Sequence, residues 1–307
     1  MQNMELTADL FSPALEDAVE REKIARPTRS GFQDGWIRLK QNKGSVVALA
    51  ILLVLVALAF FGPVLTKYDY YTTDYSAIFQ PPSAQHWFGT DKFGRDEWSR
   101  VWYGTRISLL IAVVAAALDL LVGVTYGSVS ALLGGRTDAV MQRIIEVLIG
   151  IPNLIIVILL MMVMPAGVGT LIVAMSISGW VNMARLVRAE ILKLKNQEFV
   201  LAARLLGTSN RKIILKHMIP NTVGVIVINT MFTIPSAIFT EAFLSFIGIG
   251  LQEPKASLGV LINSGFQVIN SHAYLLFIPA VVIVLIMVCF SILGDGLRDA
   301  FDPQMRV

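Results

Sequence analysis

Six apolar stretches, each long enough to cross a membrane as a helix, dominate the pattern of hydrophobic and polar positions. The first, Ser45 to Leu65, contains no charged residue. A helix of about 20 residues is sufficient to cross a hydrocarbon core about 30 Å thick. The pattern therefore predicts an all-α polytopic membrane protein with six transmembrane helices. The other five predicted spans are 107–133, 139–164, 170–186, 222–247 and 274–297.

The composition supports a membrane protein and argues against a pair of soluble domains of the same total length. Hydrophobic residues make up 55% of the 307 residues and charged residues only 15%. Soluble domains carry about 25% charged residues. The single cysteine, Cys289, lies in the sixth predicted span and cannot form an internal disulfide, so it is expected to be a small packing residue.

The first 43 residues are predicted to form a cytoplasmic tail followed by an interfacial helix. Residues 1–20 carry acidic residues and no basic ones, which is unlike a signal peptide. Seven basic residues follow before position 44. In the same stretch the apolar residues Phe32, Trp36 and Leu39 recur at helical spacing. This is the pattern of an amphipathic helix in the membrane interface. A merely polar lead-in is the alternative.

Three polar residues within the spans are candidates for the bundle interior or a transport pathway: Asp119, Asn153 and Glu241. A carboxylate at the middle of a bilayer is costly. Asp119 is therefore expected to face protein or a wet cavity and to touch a polar group of another span. Asn153 follows Pro152, which is expected to kink the third span because proline removes a helix hydrogen bond.

Two polar segments are expected outside the membrane. Residues 66–106 form a loop of about forty residues, which completes a first unit at 44–106. Its sequence Gly89-x4-Gly94-Arg95-Asp96 only approximates a P-loop, because the phosphate-binding lysine and the following hydroxyl residue are replaced by Arg and Asp. In the second segment, 248–273, the apolar run 258–266 is too short to span, which predicts a re-entrant or surface helix.

The basic residues give an independent test of topology. With six spans and both termini in the cytoplasm, nineteen of the 25 lysines and arginines lie on the inside. This excess is what the positive-inside rule requires. It also places the polar segment 198–221, between the fourth and fifth spans, in the cytoplasm.

That segment resembles a known motif. Its sequence, Ala202-Ala203-x3-Gly207 and then His217-x-Ile219-Pro220, is similar to the cytoplasmic "EAA" loop of ABC importer permeases. In that family the loop forms a short helix pair that docks into a groove on the ATPase. The first motif position, usually Glu, is Leu201 here. Glu198, one turn earlier, is a candidate for its capping or salt-bridge role.

The residue types in this loop suit a docking element. Small Ala202 and Ala203 allow another surface to approach the backbone. Gly207 permits the left-handed residue that ends a helix. Pro220 is expected to block the helix from continuing backwards and to open the next one. The candidate ATPase-coupling residues are Glu198, Ala202, Ala203, Gly207, Lys212 and Pro220.

Two further stretches extend the resemblance over nearly the whole chain, from about residue 36 to 306. They are His86 to Leu109, before the second span, and Gly294 to Pro303, at the end of the sixth. The chain resembles the second permease subunit of an oligopeptide ABC importer. This resemblance implies a type I ABC importer permease fold, with a permease core at 107–307 that contains five spans and a coupling loop at 188–220.

The resemblance also implies the partners and the location of the protein. A homologous permease subunit would form a heterodimer with it. Two cytoplasmic ATPase subunits would bind ATP and Mg, and an extracytoplasmic binding protein would deliver peptides for alternating-access transport. No nucleic-acid partner is expected. The location implied is the cell membrane of a bacterium, with several passes and both termini cytoplasmic.

The chain itself is predicted to be neither an enzyme nor a metal or cofactor protein. Its sequence contains no Walker A lysine motif, no HExxH and no paired-cysteine site. The three histidines, His86, His217 and His272, fall on both sides of the membrane and cannot share a metal.

Two alternatives stay open at this stage. The first is a dipeptide or nickel permease of the same family. The second, from a different class, is an ion-coupled secondary transporter in which Asp119 and Glu241 form a relay. The absence of an obvious inverted repeat argues against the secondary transporter.

Overall fold

A computed structural model describes residues 31–301, with side chains from residue 35 onward. The predicted acidic tail, 1–20, lies outside the described residues. Within this range the regular structure is helical apart from one isolated bridge between Thr90 and Asp96. The helices are α1 (Gly31–Gln41), α2 (Lys43–Phe61), α3 (Glu97–Leu133), α4 (Gly135–Gly150), α5 (Asn153–Val163), α6 (Val168–Leu194), α7 (Glu198–Leu205), α8 (Asn210–Ile213), α9 (Ile219–Phe246), α10 (Leu258–Gln267) and α11 (Tyr274–Phe301).

The number of candidate spans agrees with the sequence. Between residues 31 and 301, five helical segments are long and apolar enough to cross a membrane, and a sixth arises if the bent pair α4–α5 is one span. The all-α membrane fold is therefore confirmed. The five segments are Lys43–Val64, Glu97–Leu133, Val168–Leu194, Asn210–Phe246 and Tyr274–Phe301.

The third span is broken at the proline where a kink is predicted. Helix α4 ends at Gly150 and α5 begins at Asn153, and the two axes differ by 79°. Pro152 lies between them in an extended conformation, with ψ of 122°. Because proline lacks the N–H and its ring clashes with the preceding turn, the helix cannot run through this position unchanged.

The second span begins earlier than the sequence indicates. Helix α3 starts at Glu97, ten residues before the predicted start at 107. The Asp96 carboxylate caps it by accepting a hydrogen bond from the Ser99 N–H at 2.9 Å. Glu97, Ser99 and Arg100 of its first turn, predicted to lie in a loop, are buried. The Ser99 hydroxyl donates to the Tyr68 carbonyl and the Arg100 guanidinium to the Tyr70 carbonyl. The predicted loop 66–106 is therefore partly helical.

The predicted amphipathic helix is present as α1. Leu39 is buried and Trp36 is exposed, whereas the side chain of Phe32 lies outside the described part. The helix packs on the end of α11, where a β-carbon at Gly35 would lie 3.0 Å from the Phe301 ring. A location in the membrane interface stays a prediction.

The bundle centre is formed by α3 packed closely along α6. A β-carbon at Gly127 would lie 2.3 Å from the Ala184 carbonyl oxygen, and one at Gly123 would lie 2.6 Å from the Met183 side chain. Small residues are required at such contacts because membrane helices associate through close backbone approach. This pairing places the middle of α3, with Asp119, directly against α6.

The short helix predicted after the fifth span is α10. Ser257 caps it by accepting from the Val260 N–H at 3.3 Å. The helix is wedged between α9 and α11, since a β-carbon at Gly259 would lie 2.4 Å from the Ala242 carbonyl oxygen. The bundle therefore covers the inner face of α10, and this face does not lie on a membrane surface.

Candidate coupling surface and membrane cavity

The coupling segment forms a helix pair, as the resemblance implies. Helix α7 ends in a turn in which Gly207 has a φ of +75°. The Thr208 N–H donates to the Ala203 carbonyl at 3.0 Å and closes this turn. The predicted left-handed glycine is therefore confirmed. A β-carbon at Gly207 would meet nothing within 4 Å, so backbone conformation alone constrains this position.

The helix pair has two different faces. Val200 on α7 and Ile213 on α8 are fully buried in a cluster that includes Val187 of α6. On the opposite side Leu205 and Leu206 are 90% and 84% exposed. The inner face fixes the pair to the spans by apolar packing, and the outer face presents two adjacent leucines.

The structure corrects the roles expected for two motif residues. Ala203 is buried and faces the permease, so only Ala202 lies on the outer face. The small side chain of Ala203 lets α7 pack closely against the spans. It does not serve the approach of a partner protein. Pro220 is the second residue of α9, as expected, but it does not end the preceding helix. The Ile219 N–H donates to the Ile214 carbonyl five residues back, and this π-helical turn (Ile214–Met218) carries the backbone past the proline.

The charged motif residues lie on the surface. Glu198 is the first residue of α7, where a negative charge interacts favourably with the helix dipole. Among the described residues no ion pair involves Glu198, and the salt-bridge role proposed for it is not seen there. Leu201, which replaces the family glutamate, is 45% exposed. Lys212 is exposed on α8.

An ion pair lies beside this surface, where the ends of α3, α4 and α6 meet. Arg188 of α6 donates to both oxygens of Asp138 on α4, at 2.7 and 2.6 Å. Ser130 at the end of α3 donates to the same carboxylate. Lys195 donates to the Ala131 carbonyl at 3.2 Å and so caps α3. These contacts hold the segment that enters α7 against the ends of α3 and α4.

Breaking this ion pair is expected to destabilise the protein. In a double-mutant cycle of Arg188→Ala and Asp138→Ala, thermal unfolding in detergent should give a coupling energy of about 1–3 kcal/mol, because the pair is bidentate and its side chains are only 26% and 18% exposed. The equivalent cycle at Lys193 and Glu190, a 4.0 Å pair whose lysine is 73% exposed, should give about 0–1 kcal/mol. Equal coupling energies in the two cycles would contradict the assignment.

Asp119 lines a cavity between helices of the bundle. The cavity has a volume of about 440 Å³ and is bounded by α3, the α4–α5 break, α6 and α9. Asp119 is 7% exposed, so the prediction that it faces protein or a cavity is confirmed. The prediction of a polar contact to another span is wrong for Oδ1, which has no hydrogen-bond partner among the described residues. The carboxylate lies against Gly179 of α6, which offers no side chain.

The other two polar candidates occupy different places. Asn153 lines the same cavity and accepts a hydrogen bond from Ser178 at 2.6 Å. Glu241 is fully buried and accepts from Ser108 at 2.7 Å and Ser245 at 2.9 Å. It is not among the residues that line the cavity. The structure therefore brings Asp119 and Asn153 together and gives Glu241 a separate, satisfied site, which does not support a relay between Asp119 and Glu241.

Sequence reasoning missed a buried ion network at the N-terminal end of α3. Arg100 is fully buried, with its Nε 3.6 Å from Asp91 and 3.9 Å from Glu97. Arg95 donates to Asp91 at 2.7 Å and lies 3.2 Å from Glu253 of the loop before α10. Opposite charges at spacings of three and four, as at 91/95 and 97/100, are the signal that could have indicated these pairs.

The P-loop-like spacing has a structural explanation in this network. Gly89 and Gly94 have φ values of +78° and +72°. A β-carbon at Gly89 would lie 2.6 Å from the Gln80 carbonyl oxygen, so the turn tolerates only glycine. The glycines fold the loop so that Asp91 reaches the arginines.

Comparison with known proteins identifies the family. Residues 123–307 match the family described as "Binding-protein-dependent transport system inner membrane component". The oligopeptide transport system permease protein OppC of Bacillus subtilis (strain 168) is 46% identical over 306 residues, covering 100% of both chains. This chain belongs to that family. It is a multi-pass inner-membrane permease component of a bacterial ABC importer, with the type I importer fold, and is not itself a catalytic subunit.

A second family matches the N-terminal part of the chain, and other individual permeases are also similar to it. Residues 30–82 match the "N-terminal TM domain of oligopeptide transport permease C". The dipeptide transport system permease protein DppC of Bacillus subtilis (strain 168) is 49% identical over 288 residues, 94% of this chain and 90% of that protein. OppC of Escherichia coli (strain K12) is 39% identical over 287 residues, 93% and 95% of the two chains.

Proposed function

We propose that this chain is the permease subunit of an ATP-driven importer that carries oligopeptides into the cytoplasm by alternating access. The proposal rests on the helix pair α7–α8, whose inner face is buried in the spans while Leu205 and Leu206 project outward. Apolar side chains exposed together in this way mark a site for a protein partner. Full-length similarity to a relative named as an oligopeptide permease supports the substrate class.

The proposed assembly follows from the family. A homologous permease subunit completes a heterodimer, and two cytoplasmic ATPases bind ATP and Mg and receive the α7–α8 tip. The family description names binding-protein-dependent transport, and in this proposal the binding protein is extracytoplasmic and delivers the peptide. Both termini lie in the cytoplasm. When the ATPases close, they displace α7–α8. The ion pair between Arg188 and Asp138 transmits this displacement to α4 and α6.

The direct test is uptake by the complete importer in proteoliposomes with its partner subunits and binding protein. Labelled pentapeptide should enter only with ATP and the loaded binding protein. The dipeptide and nickel alternatives are tested in the same vesicles, and the dipeptide arm is the more pressing because the dipeptide-named relative is 49% identical. Uptake of dipeptide or nickel without uptake of pentapeptide would overturn the substrate class.

The two exposed leucines, Leu205 and Leu206, are expected to be needed for attachment of the ATPases. The double variant Leu205→Ser, Leu206→Ser should reduce co-purification of the ATPases and peptide uptake by at least tenfold, because burial of two leucine side chains contributes about 1.5–3 kcal/mol each. Membrane abundance should be unchanged, since both side chains are exposed. Leu65→Ser, at a leucine 59% exposed beyond the first span, is the control and should have no effect. Normal co-purification of the double variant would contradict the docking role.

The topology is expected to be visible by cysteine labelling in a Cys289→Ala background. Single cysteines at Ser83 and Lys255 should react with an impermeant maleimide from outside, and one at Thr137 only after the membrane is opened. All three positions are exposed. Reaction of the Thr137 cysteine in intact cells would show that the orientation is inverted.

A further inference from the structure

The cavity beside the broken third span has the features of a binding site. It is bordered by the non-helical residues Ile151 and Pro152. Irregular backbone at membrane depth is tolerated only where it is buried in protein or lines a water-filled cavity. The volume of about 440 Å³ lies in the range of small-molecule sites, about 300–1,000 Å³.

The chemistry of the lining is polar with a single charge. Among the residues that the structure describes, Asp119 is the only ionisable one in the lining, which contains no lysine, arginine or histidine. The remaining polar groups are amides and hydroxyls: Asn153, Ser178, Asn182, Asn229, Thr233, Ser236 and Thr240. A carboxylate in such a place requires a cation or a set of donors to offset its desolvation. The lining residues supply no cation.

Comparison of Asp119 with Glu241 separates a ligand-binding carboxylate from a structural one. Glu241 accepts hydrogen bonds from two serines and is fully enclosed. Asp119 is 93% buried, and its Oδ1 has no hydrogen-bond partner in the described structure. Gly179 leaves room for the carboxylate, since a β-carbon there would lie 2.3 Å from Oδ2. Asp119 is thus held at the cavity wall with hydrogen-bonding capacity to spare.

We propose that Asp119 binds the primary ammonium group of the substrate during passage, first of all the amino terminus that every unblocked peptide carries. This inference rests on the proposed function as a peptide importer and names the recognition element within it. The amide and hydroxyl groups around Asp119 suit the peptide backbone, whose N–H and C=O groups are common to all sequences. Such a site holds a peptide by its charge and main chain and places no demand on its side chains.

The test measures the cavity directly and does not depend on transport. A single cysteine replaces Asn182, an exposed residue of the lining one turn from Gly179, in the assembled importer with Cys289→Ala. Its reaction rates are compared for a methanethiosulfonate reagent carrying trimethylammonium and one carrying sulfonate. Each rate is first divided by the rate of the same reagent with a free thiol in solution, because the negatively charged thiolate itself favours the cationic reagent. Because a site of one charge sign raises the local concentration of counter-ions at least tenfold, the normalised rate of the ammonium reagent should be about ten times that of the sulfonate. Asp119→Asn should bring the ratio close to one, and Asp119→Glu should retain it.

Protection by peptides identifies the ligand. Tri-alanine should slow the labelling, Nα-acetyl-tri-alanine should not, and Asp119→Asn should remove the difference. An Nα-acetylated tripeptide with a lysine side chain tells whether a side-chain amine binds as the amino terminus does. Glu146→Gln, at an exposed carboxylate of α4, is the matched control and should change neither measurement.

Three results would overturn the proposal. They are a rate ratio unaffected by Asp119→Asn, equal protection by free and acetylated tri-alanine, and a cysteine at 182 that reacts with neither reagent. A failure of the proposed function is distinguishable, because it would abolish ATP-driven peptide uptake in the vesicles while leaving the charge selectivity of labelling in place.

Discussion

Gly207→Val is expected to abolish ATP-driven peptide uptake while the subunit still accumulates in the membrane. Gly207 has a φ of +75°, a conformation that a β-branched residue adopts only with strain of about 1–3 kcal/mol. A β-carbon at this position would meet no atom within 4 Å, so the effect is expected to act through the direction of the turn. Relief of the strain reorients α7 relative to α8 and moves Leu205 and Leu206 off their docking position. Six packed spans are unaffected by a change of this size.

The measurements for this variant are membrane abundance, co-purification of the ATPases and peptide uptake. Gly207→Asn is the matched control, because asparagine tolerates the left-handed conformation, and it should keep most of the uptake. Gly169→Val, at an unobstructed glycine in the first turn of α6, tests the effect of the valine itself and should be close to wild type. Normal uptake by Gly207→Val, or a loss that only follows reduced abundance, would refute the coupling role of the turn.

Arg100→Met is expected to have the largest effect on stability. The Arg100 guanidinium is fully buried and lies within 4 Å of three carboxylates, Asp91, Glu97 and Glu253. Removing one partner of a buried ion pair costs about 3–5 kcal/mol, because it leaves the opposite charge buried and uncompensated. Here the loss also removes one of the contacts that join Glu253, in the loop before α10, to the start of α3. The variant should therefore show low membrane abundance and a strongly reduced unfolding temperature.

An exposed ion pair on α4 provides the control for this experiment. Arg143 and Glu146 form an ion pair at 2.6 Å with the same spacing of three residues, but their side chains are 79% and 59% exposed. Arg143→Met should change the free energy of unfolding by about 0–1 kcal/mol. If Arg100→Met were as stable as Arg143→Met, the buried network would not be holding the outer segment in place.

The long helix α3 connects the regions discussed above. It runs for 37 residues, about 55 Å at 1.5 Å per residue. Arg100 lies near its N-terminal end and Asp119 near its middle. Near its C-terminal end Ser130 donates to Asp138, the partner of Arg188, and the Ala131 carbonyl accepts from Lys195. A displacement of α7–α8 that tilts α3 would therefore alter the cavity wall that contains Asp119. This is how the geometry would link ATP-driven movement inside to substrate release from the cavity.

Much of the architecture follows from local properties of the sequence. The spans could be predicted because crossing a bilayer requires a fixed length of apolar helix, which is visible in the sequence alone. The break at Pro152 and the left-handed turn at Gly207 were also predictable from local properties, because each depends on the covalent geometry of one residue. The family motif in 198–221 likewise depends on residue types at fixed spacing.

Other features depend on contacts between distant parts of the chain, and only the tertiary structure decided them. Ala202 and Ala203 are adjacent and chemically identical, yet one faces outward and the other the permease. Arg100 looked like a loop residue, because its burial depends on Asp91 and on Glu253, 153 positions away. Asp119 and Glu241 were equivalent as lone carboxylates in apolar spans. The packing gave Glu241 two serine donors and left Asp119 against a glycine beside a cavity, because hydrogen-bond satisfaction depends on which side chains the fold brings together.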